Sequence, residues 1–418
     1  MTIKLENWRK EELGINDVIK KYPDVSRFVI LKTDVQRRGY ALSDKARELF
    51  DPDIHQSKGR TVFINRENIN PSGLILRDGT LIVGSYTEEA NFGIRDPYLV
   101  DVVNGKLVLT DQGEVLEEVE YWRKPHFFDK LTSKGNPMWQ IVGSRPQRFD
   151  IALNKHCHFW DKPGGGCKYC TIGSLAKENK DKNISNLLDI DEVFEAVQEG
   201  LKQKGRFTTF CLTMGSILTG EELFDHEIQL YVDLFSKLKK LFKENKIHAQ
   251  IVGSAYSKKQ LEVLRDKTGV ISYTTDLEVL NPKLFEWICP GKAEFVGYNE
   301  WKKRLYDAVE VFGKGNVNTG IVGGVDLAQP YGYKTEAESL KANFAEAEEL
   351  AKHGVSVINS VWHVSPGTYF HNQIPPSLEY YVQLSKGLND IREAYGIDVY
   401  FDDYRRCGNH PSSDLARI

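Results

Sequence analysis

The chain has 418 residues, with 55 Lys plus Arg against 59 Asp plus Glu and a net charge of −4. That near-balance argues against a basic nucleic-acid-binding protein, no stretch approaches the ~18 apolar residues of a membrane span, and the opening Met1-Thr2-Ile3-Lys4-Leu5-Glu6 lacks the apolar region of a secretory signal. The chain therefore reads as cytoplasmic, its six cysteines as thiols rather than disulfides, and its length as two or three domains.

Residues 1–50 read as mostly helical, with candidate helices at 17–22 and 43–50. Residues 60–120 read as a small antiparallel sheet. Two hairpins stand out there, one turning at Asp78-Gly79 and one at Asn104-Gly105. Asn-Gly is a strong hairpin signal because both central residues take positive φ. A mostly polar, Pro-containing passage covers 130–148. Strand and helix then alternate. Strands are predicted at 148–154, 206–213, 247–252, 270–275, 317–322 and 355–361. Helices are predicted at 191–204, 221–245, 258–266, 298–312, 336–353 and 376–395. Six βα repeats are the rhythm of a parallel sheet with crossover helices. The fold class is accordingly α/β: a partial (β/α)6 TIM-like barrel over residues 149–375. An N-terminal β-rich α+β domain, 1–148, precedes it, and a short C-terminal helix and tail, 376–418, follow. Such barrels carry their chemistry on loops at the C-terminal strand ends.

Directly after the first barrel strand come Cys157, Cys167 and Cys170, spaced Cys-x9-Cys-x2-Cys. Two intervening residues let Cys167 and Cys170 face one metal site. The run Gly164-Gly165-Gly166 frees the loop to fold back and bring Cys157 to the same point. Three thiolates without a fourth nearby cysteine leave one coordination position open. Two metal readings remain on these residues: a structural zinc site completed by His156 or His158, or a [4Fe–4S] cluster with one iron not held by cysteine.

The segment resembles the radical S-adenosylmethionine (SAM) superfamily motif, in a variant with nine residues in the first gap. Tyr169 lies between the last two cysteines, at the aromatic position where that family contacts the adenine of SAM. Thr213-Met214-Gly215-Ser216 follows the second strand, at the family's Gly-Gly-Glu-like position. Glu278 ends the fourth strand, at the ribose-binding position. Thr319-Gly320-Ile321-Val322-Gly323-Gly324-Val325-Asp326 is similar to the Gly-x-Ile-x-Gly-x-x-Glu motif of the biotin synthase-like branch. Trp362-His363-Val364-Ser365-Pro366-Gly367-Thr368 resembles its Pro-Gly-Thr passage. The resemblance covers about residues 149–370 and does not extend over the first 148.

The resemblance implies a [4Fe–4S] cluster held by Cys157, Cys167 and Cys170, with SAM placed by Tyr169, Gly215, Ser216, Glu278, Gly320, Ile321, Val322 and His363. It implies reductive cleavage of SAM to a 5′-deoxyadenosyl radical that takes hydrogen from a substrate, here expected to be a small molecule. A reducing partner such as flavodoxin or ferredoxin would supply the electron. Cys407, in the polar run Arg405-Arg406-Cys407-Gly408-Asn409-His410, could donate a hydrogen atom to a substrate radical. Two alternatives stay open: a zinc-binding barrel protein, and a sulfur-insertion enzyme with an auxiliary cluster built from the remaining cysteines. No cobalamin signature of the type Asp-x-His-x-x-Gly is present.

Overall fold

The computed structural model describes residues 12–57, 70–83, 96–181, 185–242, 247–365, 367–398 and 409–416. Two sheets organise them. The N-terminal sheet contains β1 (Tyr40–Leu42), β2 (Gly73–Leu76), β3 (Leu81–Val83), β4 (Tyr98–Val103), β5 (Lys106–Asp111) and β6 (Glu114–Tyr121). Their order is β1-β4-β5-β6-β2-β3. The Asn104-Gly105 turn forms as its residues require, with φ of 52° and 76°. The sheet is not purely antiparallel, because β1 adds to β4 in parallel.

The second sheet contains β7 (Gly143–Arg145), β8 (Arg148–Ala152), β9 (Thr209–Thr213), β10 (Ile247–Val252), β11 (Val270–Thr274), β12 (Val317–Gly323) and β13 (Ser356–Val361). β8 to β13 pair in sequence order and all in parallel. These are the six predicted strands, each within a few residues of its expected bounds. They form a partial (β/α)6 barrel that does not pair β13 back to β7 or β8. β9 and β12 are buried almost throughout, as strands covered on both faces must be. The crossover helices start where the sequence caps them. Asp189 accepts from the Asp191 and Glu192 amides, and Ser257/Gln260 and Thr335/Glu338 form capping boxes, each satisfying orphan amides of a first turn.

Two expectations need correction. The 130–148 passage supplies β7, which runs antiparallel to β8 and adds a seventh strand to the barrel sheet. The helix expected over 221–245 spans only Asp225–Leu238, because Phe224 before it takes a left-handed conformation, φ 77°. Arg27–Arg38 forms a twelve-residue helix within the stretch read as mostly helical, between the two candidate helices named there. Its charged residues are buried because they are paired. Arg37 Nε donates to Asp34 at 2.8 Å, Arg38 donates to both Asp111 oxygens at 2.9 and 2.8 Å, and the Tyr98 hydroxyl donates to Asp34.

The C-terminal segment ties the two sheets together. Leu378 and Val382, from the Leu378–Ala394 helix, enter the core of the N-terminal unit. Lys32 pairs with Asp414, and Ser412 Oγ accepts from the Asn359 amide on β13 at 3.2 Å. Residues 409–416 are thus a packed terminus rather than a surface tail. Cys407 lies outside the described residues. No helix among the described residues is long and apolar enough to cross a membrane.

Candidate functional site

The cysteine loop leaves β8 and is shaped by its glycines. The backbone turns tightly at His158–Trp160, and the run 164–166 folds back over that turn. A Cβ on Gly165 would meet the Phe159 carbonyl at 2.3 Å, and one on Gly166 the Trp160 ring at 2.2 Å. Only glycine permits this return, which brings Cys167 and Cys170 toward Cys157. Gly215, after β9, supports the same loop from below. Its amide donates to the Asn154 carbonyl at 2.8 Å, and a Cβ there would meet the His156 carbonyl at 2.1 Å and Cys157 Cα at 2.8 Å. Gly215 thus sets how closely β9 approaches Cys157.

The Ile172 amide donates to Cys170 Sγ at 3.5 Å, and the Phe159 and Ser216 amides lie beside the Cys157 sulfur. Burial pushes the Cys157 thiol up to about 11 and the Cys170 thiol up to about 12. Cys167 moves the other way, lowered chiefly by a hydrogen bond with Cys289 and also by the nearby Lys292 charge. A bound cation is what would hold all three as thiolates in this enclosure.

The loop after β11 forms the opposite wall. Glu278 adopts φ 67°, a left-handed conformation that is costly for a side chain with a Cβ. It is held there by β12: its amide donates to the Gly320 carbonyl at 3.0 Å, and its own carbonyl accepts from Val322 at 3.0 Å. The Gly320 amide donates to Asp276 Oδ1 at 2.7 Å, and a Cβ at 320 would strike that same oxygen at 2.7 Å. Thr319, where the resembled motif has glycine, accepts from the Leu277 amide at 2.8 Å through its hydroxyl. So Gly320, Ile321 and Val322 act through their backbone on the Asp276–Glu278 loop.

Glu278 Oε1 accepts from Lys292 Nζ at 2.8 Å, and Lys292 also donates to the Asp276 carbonyl at 2.7 Å. The ammonium lies 4.7 Å from the centre of the Trp301 ring. Burial opposes its charge, but Glu278 and the Cys167 and Cys289 thiols outweigh that, and its pKa is raised. Burial raises the Glu278 carboxyl, and Lys292 acts against it. Burial, and then the nearby Glu278 carboxylate and cysteine thiols, push the Tyr169 hydroxyl up. Cys167, Tyr169, Glu278, Cys289 and Lys292 therefore form one contiguous cluster at the C-terminal mouth of the parallel strands.

The remaining expected residues fall as follows. The Ser216 hydroxyl accepts from Ser254 Oγ at 2.8 Å, and its carbonyl accepts from the His158 amide at 2.9 Å. His363 lies two residues past β13 and is half-buried. Asp326 is buried and accepts from Ser339 at 2.6 Å and Asn343 at 2.9 Å, so it anchors the Glu336–Lys352 helix.

His156 and His158 do not complete the cysteine set. They line a cleft of about 640 Å³ that none of the three cysteines lines. His156 Nε2 pairs with Asp161 at 2.7 Å, and His158 Nδ1 accepts from the Leu218 amide at 3.3 Å. Among the described residues, His156, His158 and Asp161 are the group of three metal-type ligand atoms within 4.8 Å of one another. The accepted hydrogen bond leaves the His158 proton on Nε2, so neither of its nitrogens offers a free lone pair as folded.

Sequence reading missed Cys289 and Lys292. The signal was present as the run Cys289-Pro290-Gly291-Lys292, but nothing local says that this junction meets the cysteine loop.

No protein-family model matches the chain. It is 26% identical over 128 residues to bacteriochlorophyllide c C-7(1)-hydroxylase of Chlorobaculum limnaeum, a match covering 31% of this chain and 29% of that protein. The chain thus spans less than a third of the length of this curated relative. Among solved structures it is similar to methylornithine synthase, with TM-score 0.39 and 17% identity over 60% of this chain and 70% of that one. It is also similar to a radical SAM methyltransferase from Sphaerobacter thermophilus, with TM-score 0.39 and 15% identity over 75% and 80% of the two chains. The cobalamin-dependent S-adenosylmethionine radical enzyme OxsB gives TM-score 0.36 and 15% identity over 80% and 46%.

Proposed function

We propose that this chain is a radical SAM enzyme whose barrel holds a [4Fe–4S] cluster on Cys157, Cys167 and Cys170. The observation that carries the reading is the convergence of these three cysteines with Tyr169, Glu278 and Lys292 at the strand ends, in the order the motif requires. The donor set fits the group. There are three thiols, amides beside two of the sulfurs, a buried cation near them, and no histidine placed to complete a zinc cage.

When bound, the cluster supplies one electron that cleaves a carbon–sulfur bond of SAM and yields a 5′-deoxyadenosyl radical. The chain's own residues bind and orient. Cys157, Cys167 and Cys170 hold iron. The β12 backbone at Gly320 to Val322 fixes the Glu278 loop, where the carboxylate can accept from ribose hydroxyls. Tyr169 and His363 face SAM from the cysteine loop and from the end of β13. Gly215 and Ser216 seat the Cys157 side of the site. The buried apolar lining of the barrel limits water at the reacting centre. The substrate class consistent with this mouth is a small molecule, and the electron donor a flavodoxin- or ferredoxin-like protein. The N-terminal sheet has a core of its own that takes in Leu378 and Val382, whereas Phe127, Phe128, Met138, Ile141 and Val142 pack in the barrel core. A sulfur-insertion reading gains nothing, since among the described residues Cys211 and Cys289 form no second ligand set: Cys289 abuts Cys167 and Cys211 lies within β9.

Anaerobic reconstitution with iron and sulfide tests the reading. Broad absorption near ~400 nm that bleaches with dithionite is expected. Stoichiometric zinc and no cluster after the same treatment would refute it.

A further inference from the structure

We propose that Glu227 is a positioning residue for SAM: its enclosed carboxylate fastens the loop after β9 to the loop after β10, and so holds Gly215, Ser216 and Ile217 in the seat beside Cys157. The inference rests on the functional reading above and adds to it a residue from a crossover helix.

The helix Asp225–Leu238 carries Glu227 in its first turn, directly after the left-handed turn at Phe224. Both residues are fully buried. The two carboxylate oxygens take the backbone of both loops. Oε2 accepts from the Ile217 amide at 3.1 Å, and Oε1 accepts from the Ser254 amide at 3.1 Å. The Tyr256 hydroxyl also donates to Oε1. The Ser254 hydroxyl stands between the loops, 2.9 Å from Oε2 and 2.8 Å from the Ser216 hydroxyl. Tyr273, from β11, ties in a third strand, its hydroxyl donating to the Ser254 carbonyl. Main-chain amides and hydroxyls face the carboxylate, so its ionised form fits an enclosure that would otherwise be costly for a charge.

This fastening reaches the Cys157 side of the site. The Ser216 carbonyl accepts from the His158 amide at 2.9 Å, and the Gly215 amide donates to the Asn154 carbonyl at 2.8 Å. Residues 215–217 are therefore held between a buried anion and the start of the cysteine loop. That loop has fastenings of its own. Lys168 N donates to Ile288 O at 2.9 Å, and Gly291 N donates to Gly165 O at 2.9 Å. Glu227 thus governs the seat rather than the ligand loop, and SAM binding should depend on it where cluster loading does not.

Glutamine has the shape of glutamate but cannot keep these contacts. Each oxygen of Glu227 accepts from a main-chain amide, so whichever way a glutamine is turned, its NH2 group meets an N–H. One buried main-chain donor is then left unmet, and the two loops lose their common anchor. Ser254→Ala is milder. It keeps the carboxylate and both amide contacts and removes only the hydroxyl that links Glu227 to Ser216.

The test compares native protein, Glu227→Gln and Ser254→Ala after anaerobic reconstitution. Iron and sulfide are counted, the dissociation constant of SAM is measured by equilibrium dialysis, and KM and kcat are read from 5′-deoxyadenosine formation. All three proteins should carry the same iron. Glu227→Gln should bind SAM roughly tenfold more weakly, the factor that one unmet buried hydrogen bond brings, with KM rising in step and kcat within about twofold of native. Ser254→Ala should weaken SAM binding in the same direction and by less. Iron-loaded Glu227→Gln with native SAM affinity overturns the proposal. So does a fall in its kcat at unchanged KM, which would mark a general loosening of the barrel. Loss of iron in that variant also overturns it, since the effect would then lie on the cysteine loop. If Glu227→Gln does not fold, Ser254→Ala decides, and native SAM affinity in that variant overturns the proposal. Native protein that loads no cluster, or loads it and does not bind SAM, would instead overturn the functional reading.

Discussion

Cys170→Ala is expected to abolish stable cluster binding and, with it, all reductive cleavage of SAM. The loop has no substitute ligand to offer. His156 and His158 point into the neighbouring cleft, where Asp161 and the Leu218 amide engage them. Cys289 lies beside Cys167 rather than at the Cys170 position. Two thiolates cannot retain four irons against chelation, so the ~400 nm absorption should fall to background after reconstitution. The fold should survive, because Cys170 lies in a loop outside the strands and is only partly buried. Circular dichroism should therefore match that of the native chain. A Cys170→Ala protein that keeps full iron and sulfide would remove this residue from the ligand set.

Lys292→Met should be the most destabilising single change at the site. Its ammonium is the buried counter-charge for Glu278, at 2.8 Å, and caps the Asp276 carbonyl at 2.7 Å. Methionine fills much of the same volume but leaves the Glu278 carboxylate enclosed without its cation. Removing one partner of a buried pair costs roughly 3–5 kcal/mol. Glu278→Gln in the Lys292→Met background should restore part of that loss, since the amide carries no charge to strand. Thermal or urea unfolding of the two variants checks this. A Lys292→Met protein within about 0.5 kcal/mol of native, the usual range for surface changes, would mean the pair is solvated and carries little.

The barrel was legible because its strands obey simple rules. β9 to β13 are apolar runs bounded by turns, and their helices begin at ordinary caps such as Ser257 and Thr335. The cysteine loop was legible because three thiols and a glycine run are rare together. What escaped depends on contacts between distant segments. The Arg27–Arg38 helix hides its register by burying Lys32, Asp34, Arg37 and Arg38 against partners elsewhere in the chain. β7 reads as polar loop because Gly143-Ser144-Arg145 has no apolar alternation, and it becomes a strand only by pairing with β8. Cys289 looked like one more scattered thiol until the Gly165–Gly291 and Lys168–Ile288 hydrogen bonds placed it against Cys167. Glycines assigned to SAM by their motif, Gly215 and Gly320, also have a packing reason. Each lets one backbone approach another more closely than any side chain would permit.

The measurement that bears most directly on the central claim is 5′-deoxyadenosine formation. Anaerobically reconstituted protein is incubated with SAM and dithionite, and the product is followed by chromatography. The account predicts dithionite-dependent 5′-deoxyadenosine from the native chain and none from Cys170→Ala. Native protein with a full cluster that yields no more 5′-deoxyadenosine than Cys170→Ala would contradict it.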